Sequence, residues 1–500
     1  MSITGPGSIT ALNLAAQTSM FNQLNTLAQE LGTGQAAQTY SGLGSQAGLV
    51  MALNAQVSQI DGYSATANSV GTNLSIAQSA LTQIDNAGHA VTQAVSQQGQ
   101  FALDNTGQTA TQQAAASYLD QIFGLLNTQV GDNYLFSGTA STTPSVAPTD
   151  TILNGNGAQA GLTQIIAERQ QADLGTGGTG RLSISPVAGS SFSISQDTSP
   201  FGFKLAGATT TIAGATVTGP SGSPPAISVT LGANPSDGDT IRFSLTLPDG
   251  SSQTISLQAT TNSPPGPGQF TIGTTAALTA GNLQTALNSA VTSLAQTALP
   301  AASAIAASND FFTSNPPQRV NGPPFDTATS LVAGTPANTV FWYTGENGAL
   351  PARQTATAQV GPSMSIAFGM RANEPAFSSL IAAIGAYAAT TYSPSDPNAQ
   401  ASYQALTAGV QAALAGQPGT QTVSDIAADL ANAQTTAKNA GAMNTQTQQT
   451  LQDLLQGIDG VDQNKIGEQI LSLQNTLSAS MSVTARLAQL SLVNFLGPVG

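Results

Sequence analysis

Apolar side chains recur at steps of three and four near both ends of the chain. One run is Ala16, Met20, Leu24, Leu27 and Leu31, and it stops at Gly32-Thr33-Gly34, where glycine supplies a helix end. A second begins at Leu49, Leu53, Val57, Ile60 and Tyr63. It continues through Ala67, Val70, Leu74, Ala77, Leu81 and Ile84 to Val91 and Val95, with no proline. That pattern predicts one helix roughly 70 Å long at 1.5 Å per residue. A third run, Ala115, Leu119, Ile122 and Leu126, follows a turn at 104–107. Towards the other end the seam is Ile466, Ile470, Leu473, Leu477, Met481, Thr484 and Leu487, with Leu490 and Val493 beside it, closing at Gly497-Pro498. The stretch 425–455 also reads as helix, with sparser apolar spacing. A period near 3.5 sustained this long marks a seam facing another helix, although core helices of a bundle share the spacing.

The middle changes period. RLSISP, SFSISQ, ISVTLG, TIRFSLTLPDGSSQTISLQA and TVFWYTG alternate apolar, often β-branched, residues with polar ones, which predicts strands. Pro248-Asp249-Gly250 predicts a hairpin turn, because proline presets the first turn angle and glycine permits positive φ. An alanine-rich piece, 274–308, reads as helix. Pro-rich joints at 224–225, 264–267, 316–317 and 323–324 mark exposed connections. The expected fold is therefore α+β: a long antiparallel helical coiled-coil rod from the two terminal segments, with an inserted β-rich domain. The expected domains are 1–45 with 462–500, 46–150 with 365–461, and the insert 151–364.

Composition narrows the function. Charged residues make up only 7% of the 500, with 10 Lys and Arg against 24 Asp and Glu, a net charge of −14. The first 168 residues contain no Lys or Arg at all. Such a chain has no cationic track for nucleic acid, and an anionic membrane surface is disfavoured for the same reason. One histidine and no cysteine exclude cysteine-containing zinc sites, iron–sulfur clusters and multi-histidine metal sites. No apolar run approaches a membrane span, so no membrane insertion is expected, and the first residues lack the basic and apolar regions of a cleaved secretory signal.

Candidate chemistry is sparse. His89 follows Asp85 by four residues, which places both on one helix face; no nucleophile or oxyanion device accompanies them, and a solvated pair is expected. GTGGTG at 175–180 lacks the lysine and the strand–turn–helix setting of a phosphate loop and reads as linker. Asp237 and Asp239 hint at calcium but are too few for a site, so a turn between strands is expected. Arg371, Asn373 and Glu374 read as a local ion pair or cap, worth about 0–1 kcal/mol if exposed. No catalytic constellation emerges; the chain is expected to be no enzyme and to need no cofactor. The residues expected to matter are those of the assembly seams: Met20, Leu24, Leu27, Leu31, Leu49, Leu53, Ile60, Leu74, Leu81, Ile466, Ile470, Leu473, Leu477, Leu487 and Leu490.

Several stretches resemble the bacterial flagellin family, which comprises filament flagellins and the hook-associated proteins of the hook–filament junction. LAQELGTGQ (27–35) resembles the family's leucine seam and Thr-Gly turn, and 53–84 its long helix. DNYLFSGT (132–139) and FGMRANEPAF (368–377) are similar to junction-type members, as is the ending LQNTLSASMSVTARLAQLSLVNFL (473–496). Gln35 departs from the Lys or Arg that members usually carry after the turn. The resemblance implies a structural subunit that supports motility and leaves through the flagellar export channel without a cleaved signal, for an extracellular place in the flagellum. It implies terminal helices that order on assembly into filament or junction. The implied partners are other copies of itself, neighbouring flagellar axial proteins, an export chaperone and the export apparatus. The residues by themselves also fit a secreted adhesin or fibre protein, with a helical stalk and a ligand-binding β-rich insert.

Overall fold

The computed structural model describes residues 6–37, 39, 41–97, 101–416 and 418–495, with side chains described from 11 to 486 within those ranges. The chain is mixed α and β, with long helices at both ends. It opens with α1 (Pro6–Thr33), α2 (Ala47–Ser96) and α3 (Ala110–Leu126), then the small pair β1 (Gln129–Val130) and β2 (Asn133–Tyr134). Helices α4 (Thr149–Asn154) and α5 (Leu162–Leu174) precede the strand-rich stretch. This contains β3 (Leu182–Ile184), β4 (Ser191–Gln196), β5 (Lys204–Thr210), β6 (Ala215–Ser221), β7 (Ala226–Leu231), β8 (Thr240–Thr246), β9 (Ser252–Thr260) and β10 (Gln269–Thr271). Helices α6 (Ala276–Gln296) and α7 (Ala298–Thr313) come next, then β11 (Gln318–Val320), β12 (Leu331–Ala333), β13 (Thr357–Gly361) and β14 (Met364–Ala367). Four helices close the chain: α8 (Pro375–Ala389), α9 (Ala399–Leu414), α10 (Val423–Asp459) and α11 (Gln463–Phe495).

Two compact units divide these elements. The first comprises 1–71, 358–366 and 435–500; the second comprises 72–357 and 367–434. Both cuts through helix fall inside α2 and α10, whereas the sequence pattern puts the boundaries at 45/46, 150/151, 364/365 and 461/462.

In the first unit α1 packs antiparallel against α11. Gln35 bridges Gly460 at one end, and the Gln17 side-chain amide reaches Thr484 Oγ1 at 3.0 Å at the other. Val50, Leu53, Ile60, Ala67 and Val70 of α2 are buried, as are Ala437 and Ala440 of α10. Asp61 accepts from Gln448 at 2.7 Å, and the buried Asn444 amide donates to the Val360 carbonyl at 2.9 Å.

In the second unit, two four-stranded sheets, β10-β9-β8-β5 and β3-β4-β7-β6, share one core with α6. Two-residue alternation explains it. Ile241, Phe243 and Leu245 of β8, and Ile255, Leu257 and Ala259 of β9, point inward, and Leu283, Leu287 and Val291 of α6 cover them at helical spacing. The β8–β9 hairpin turns at the expected Pro-Asp-Gly, where Gly250 has a φ of 83°. Helix α7, inside the stretch read as insert, packs against α5 and against α8 and α9 of the tail. Gly385 of α8 lets that approach occur, since a Cβ there would meet the Phe312 ring at 2.8 Å.

Two expectations need correction. TVFWYTG (339–345) forms no strand, only single bridges from Thr339 to Ala160 and from Tyr343 to Val146. Trp342 and Tyr343 are buried at consecutive positions, with Trp342 edge-on to Phe312 at 5.4 Å, so alternation fails there. GTGGTG is no linker: Gly175, Gly178 and Gly180 all take positive φ in a tight loop, and a Cβ on Gly180 would lie 2.4 Å from the Phe203 ring.

Candidate assembly interface

Helix α1 builds its seam from Asn13, Gln17, Met20, Leu24, Leu27 and Glu30, which are half-buried at steps of 4, 3, 4, 3 and 3, while the residues between them are exposed. Helix α11 answers with Ile466, Ile470, Leu473, Leu477, Ser480 and Thr484, a stripe at steps of 4, 3, 4, 3 and 4. Of the residues expected on these seams, Met20, Leu24, Leu27, Ile470 and Leu473 are therefore half-buried, and Ile466 and Leu477 buried. The two stripes end in polar residues: Gln17 Nε2 donates to Thr484 Oγ1 at 3.0 Å and to Ser480 Oγ at 3.5 Å.

The rest of the expected set distributes differently. Ala16, Leu31 and Met481, read as seam members, are exposed, because the stripe runs through Gln17, Glu30 and Ser480 instead. Leu49 is also exposed. Leu53 and Ile60 are buried within the first unit. Leu74 and Leu81 are fully covered inside the second unit and cannot form a contact between subunits. The side chains of Leu487 and Leu490 lie outside the described residues.

Of the apolar side chains flanking the paired stripes, the sequence pattern names only Met481, as a seam member, and misses Leu14, Phe21 and Val483. Leu14 and Phe21 lie one residue beyond the Asn13 and Met20 positions and repeat at seven. On α11, Met481 and Val483 border Ser480 and Thr484; all four are exposed. Of the fifteen large apolar side chains exposed among the described residues, eleven belong to the first unit, which holds less than a third of the chain. Leu12 is 75% exposed and Leu471 62%. A heptad count that admits Gln17 as a seam position would have placed Leu14 and Phe21 beside it.

Charge follows the opposite division. Among the described residues every ion pair lies in the second unit. Arg169 joins Asp173 at 2.9 Å and Asp310 at 2.7 Å, and Arg319 meets Glu168 at 2.5 Å. Arg181 bonds Asp197 at 3.0 Å. Burial raises the Asp173 and Asp310 carboxyls above the usual range; the Arg169 cation offsets part of that. Asp197 goes the other way. Burial pushes it up, but the Ser199 amide and hydroxyl and the Arg181 guanidinium outweigh that and bring it down to about 2.

The Arg371–Glu374 cluster is buried rather than exposed. Arg371 pairs with Glu346, and Glu374 accepts from the Arg371 amide at 3.2 Å and from Arg353 at 2.8 Å. His89 lies 3.5 Å from Asp85 with 72% of its side chain exposed, a solvated pair. Asp239 accepts from the Ser236 amide and Asp237 from the Thr261 amide, closing a turn next to β8. No group of three or more potential metal ligands occurs among the described residues, and no single described helix is long and apolar enough to cross a membrane. No protein-family model matches the chain, and no curated protein is similar to it.

Proposed function

We propose that the chain is a structural subunit of the bacterial flagellum, without catalysis. Its terminal helices associate with those of other copies as a coiled-coil rod, in the hook–filament junction or the filament. The observation that carries this reading is the apolar surface bordering the α1–α11 pair. Leu14, Phe21, Met481 and Val483 widen the seam beyond what a two-helix contact covers. Each such side chain, once covered, contributes roughly 1.5–3 kcal/mol. The surrounding surface is rich in Gln, Ser, Thr and Ala and poor in ions, so a further interface avoids the several-kcal/mol desolvation cost of buried charge. One interface repeated without closing gives a tube or helix. The sequence resemblance to flagellins supports the same assignment.

A Leu14→Glu/Phe21→Glu double variant tests it. The expected result is a folded chain, with Trp342 still buried, that no longer polymerises with wild-type subunits in a sedimentation assay. Polymerisation at wild-type rates would refute the interface. Immunogold labelling of isolated flagella then separates the two locations: label along the length means filament, a single spot at the hook boundary means junction, and no label on flagella rejects the assignment.

A further inference from the structure

The sheet edge beside α6 carries a feature independent of the helical ends. Strand β10 pairs with β9 only over Gln258–Thr260, in parallel. The Gln258 amide donates to Gly268 on that side. In a pleated strand the same side is faced by every second residue, so Ser256 and Thr254 direct their backbone groups to it as well. Among the described residues nothing pairs with their amides there. Beyond them opens a groove of about 690 Å³, bounded by β9, the 265–268 loop and the exposed side of α6. Its α6 wall is small at its centre, at Thr285, Ala286, Ser289 and Ala290, with Asn282 at one end and Ser293 and Leu294 at the other. None of its lining residues is charged.

We propose that this groove binds an extended, uncharged peptide segment of a partner protein by strand addition to the free half of β9. The unpaired amides of Thr254 and Ser256 ask for a backbone rather than for a small molecule, since an extended chain presents donors and acceptors at the matching two-residue repeat. Its side chains would point alternately towards the α6 wall and towards water. The short wall residues leave room there for Val, Thr or Ser. A charged side chain entering between β9 and α6 would meet no counter-ion and lose its hydration, which selects an uncharged segment. Sheet edges are blunted by inward charges, lysine, proline or a covering loop; here only the 265–268 loop, with Pro265 and Pro267, borders the edge, and no charged residue lines it.

The full-length chain is titrated, by fluorescence anisotropy, into a fluorescein-labelled, end-capped heptapeptide of sequence Ser-Val-Thr-Val-Thr-Val-Ser. Saturable binding is expected. It should weaken at least about tenfold when alternate amides of the probe are N-methylated, the loss of roughly one well-formed hydrogen bond. Ser289→Arg, an exposed α6 position, fills the groove and should abolish binding while leaving the Trp342 emission unchanged. A probe with Lys in place of Val should fail to bind. The proposal is overturned if the wild-type chain binds no probe, or if the N-methylated probe binds as well as the parent. It is also overturned if the chain instead self-associates in a way that Ser289→Arg removes, which would make a second copy the occupant.

Discussion

Replacing Arg353 by Ala should destabilise the second unit by about 2–4 kcal/mol, because it strands a buried carboxylate. Glu374 immediately precedes α8, is 6% exposed, and accepts from Arg353 Nη2 at 2.8 Å, the Arg371 amide at 3.2 Å and Gln421 at 3.3 Å. Arg353 also donates to the Gly369 carbonyl at 2.5 Å and lies 3.6 Å from Asp429. Removing one member of a buried pair generally costs about 3–5 kcal/mol. The two remaining donors to Glu374, and the 19% exposure of Arg353, place this case lower. Burial already holds the Glu374 carboxyl above its ordinary 4.5, with the Arg353 cation pulling it back. In Arg353→Ala that pull is gone and the folded pKa rises further. The folded chain then binds the proton more tightly than the unfolded one, so the penalty is full at neutral pH and shrinks as pH falls through the raised pKa. Arg353→Met combined with Glu374→Gln buries no unpaired charge and should cost at least about 1.5 kcal/mol less than the sum of the single changes. Denaturant unfolding followed by the single tryptophan, Trp342, reports on this unit. A cost for Arg353→Ala within about 0.5 kcal/mol of zero, or an additive double variant, would refute the reasoning.

Three further outcomes are expected. Gly180→Ala should cost about 2–4 kcal/mol, since its Cβ would lie 2.4 Å from Phe203 at a φ of 63°; a melting temperature equal to wild type would restore the linker reading. Leu74→Ala, at a site fully covered by its own chain, should cost about 2–5 kcal/mol in the same denaturation assay. Asp197, held at about 2 against an ordinary 3.8, contributes stability that is present above pH 3.8 and lost as pH falls towards 2. The acid sensitivity of Trp342 unfolding in that window should therefore flatten in Asp197→Asn.

Periodicity read the long elements well and the packing between them poorly. The run from Leu49 to Val95 became α2, and SFSISQ became β4 residue for residue, because repeated burial on one face leaves its period in the sequence. Strands β5 and β6 went unread: KLAGATT and ATVTGPS bury few side chains and carry little alternation. The ionic clusters were hidden for another reason. Arg169 and Asp310, or Arg371 and Glu346, are far apart in sequence, so no local spacing announces them. Only the motif around Arg371 and Glu374 drew notice, and its burial depends on Arg353 and Gln421 arriving from elsewhere. On α1 the error was one residue: a purely apolar template chose Ala16 and Leu31, whereas the stripe runs through Gln17 and Glu30.

That glutamine leads to a last prediction. The α1 and α11 stripes repeat every seven residues, so hydrophobic matching alone would tolerate a slip of one repeat. In the observed register Gln17 reaches Ser480 and Thr484. Slipped by seven, it would face Leu473 and Leu477, leaving its amide unpaired at a cost of about 1–3 kcal/mol. A polar residue at one seam position thus specifies register while lowering stability. Gln17→Leu should strengthen the pairing of α1 with α11 and loosen its register. The chain contains no cysteine, so engineered pairs read register without background. Met20→Cys with Leu477→Cys should crosslink in the observed alignment, and Met20→Cys with Ile470→Cys only in the slipped one. Adding Gln17→Leu should raise the second crosslink at the expense of the first. If the slipped pair stays silent in Gln17→Leu, the register is held elsewhere, with the Gln35–Gly460 bridge the nearest alternative.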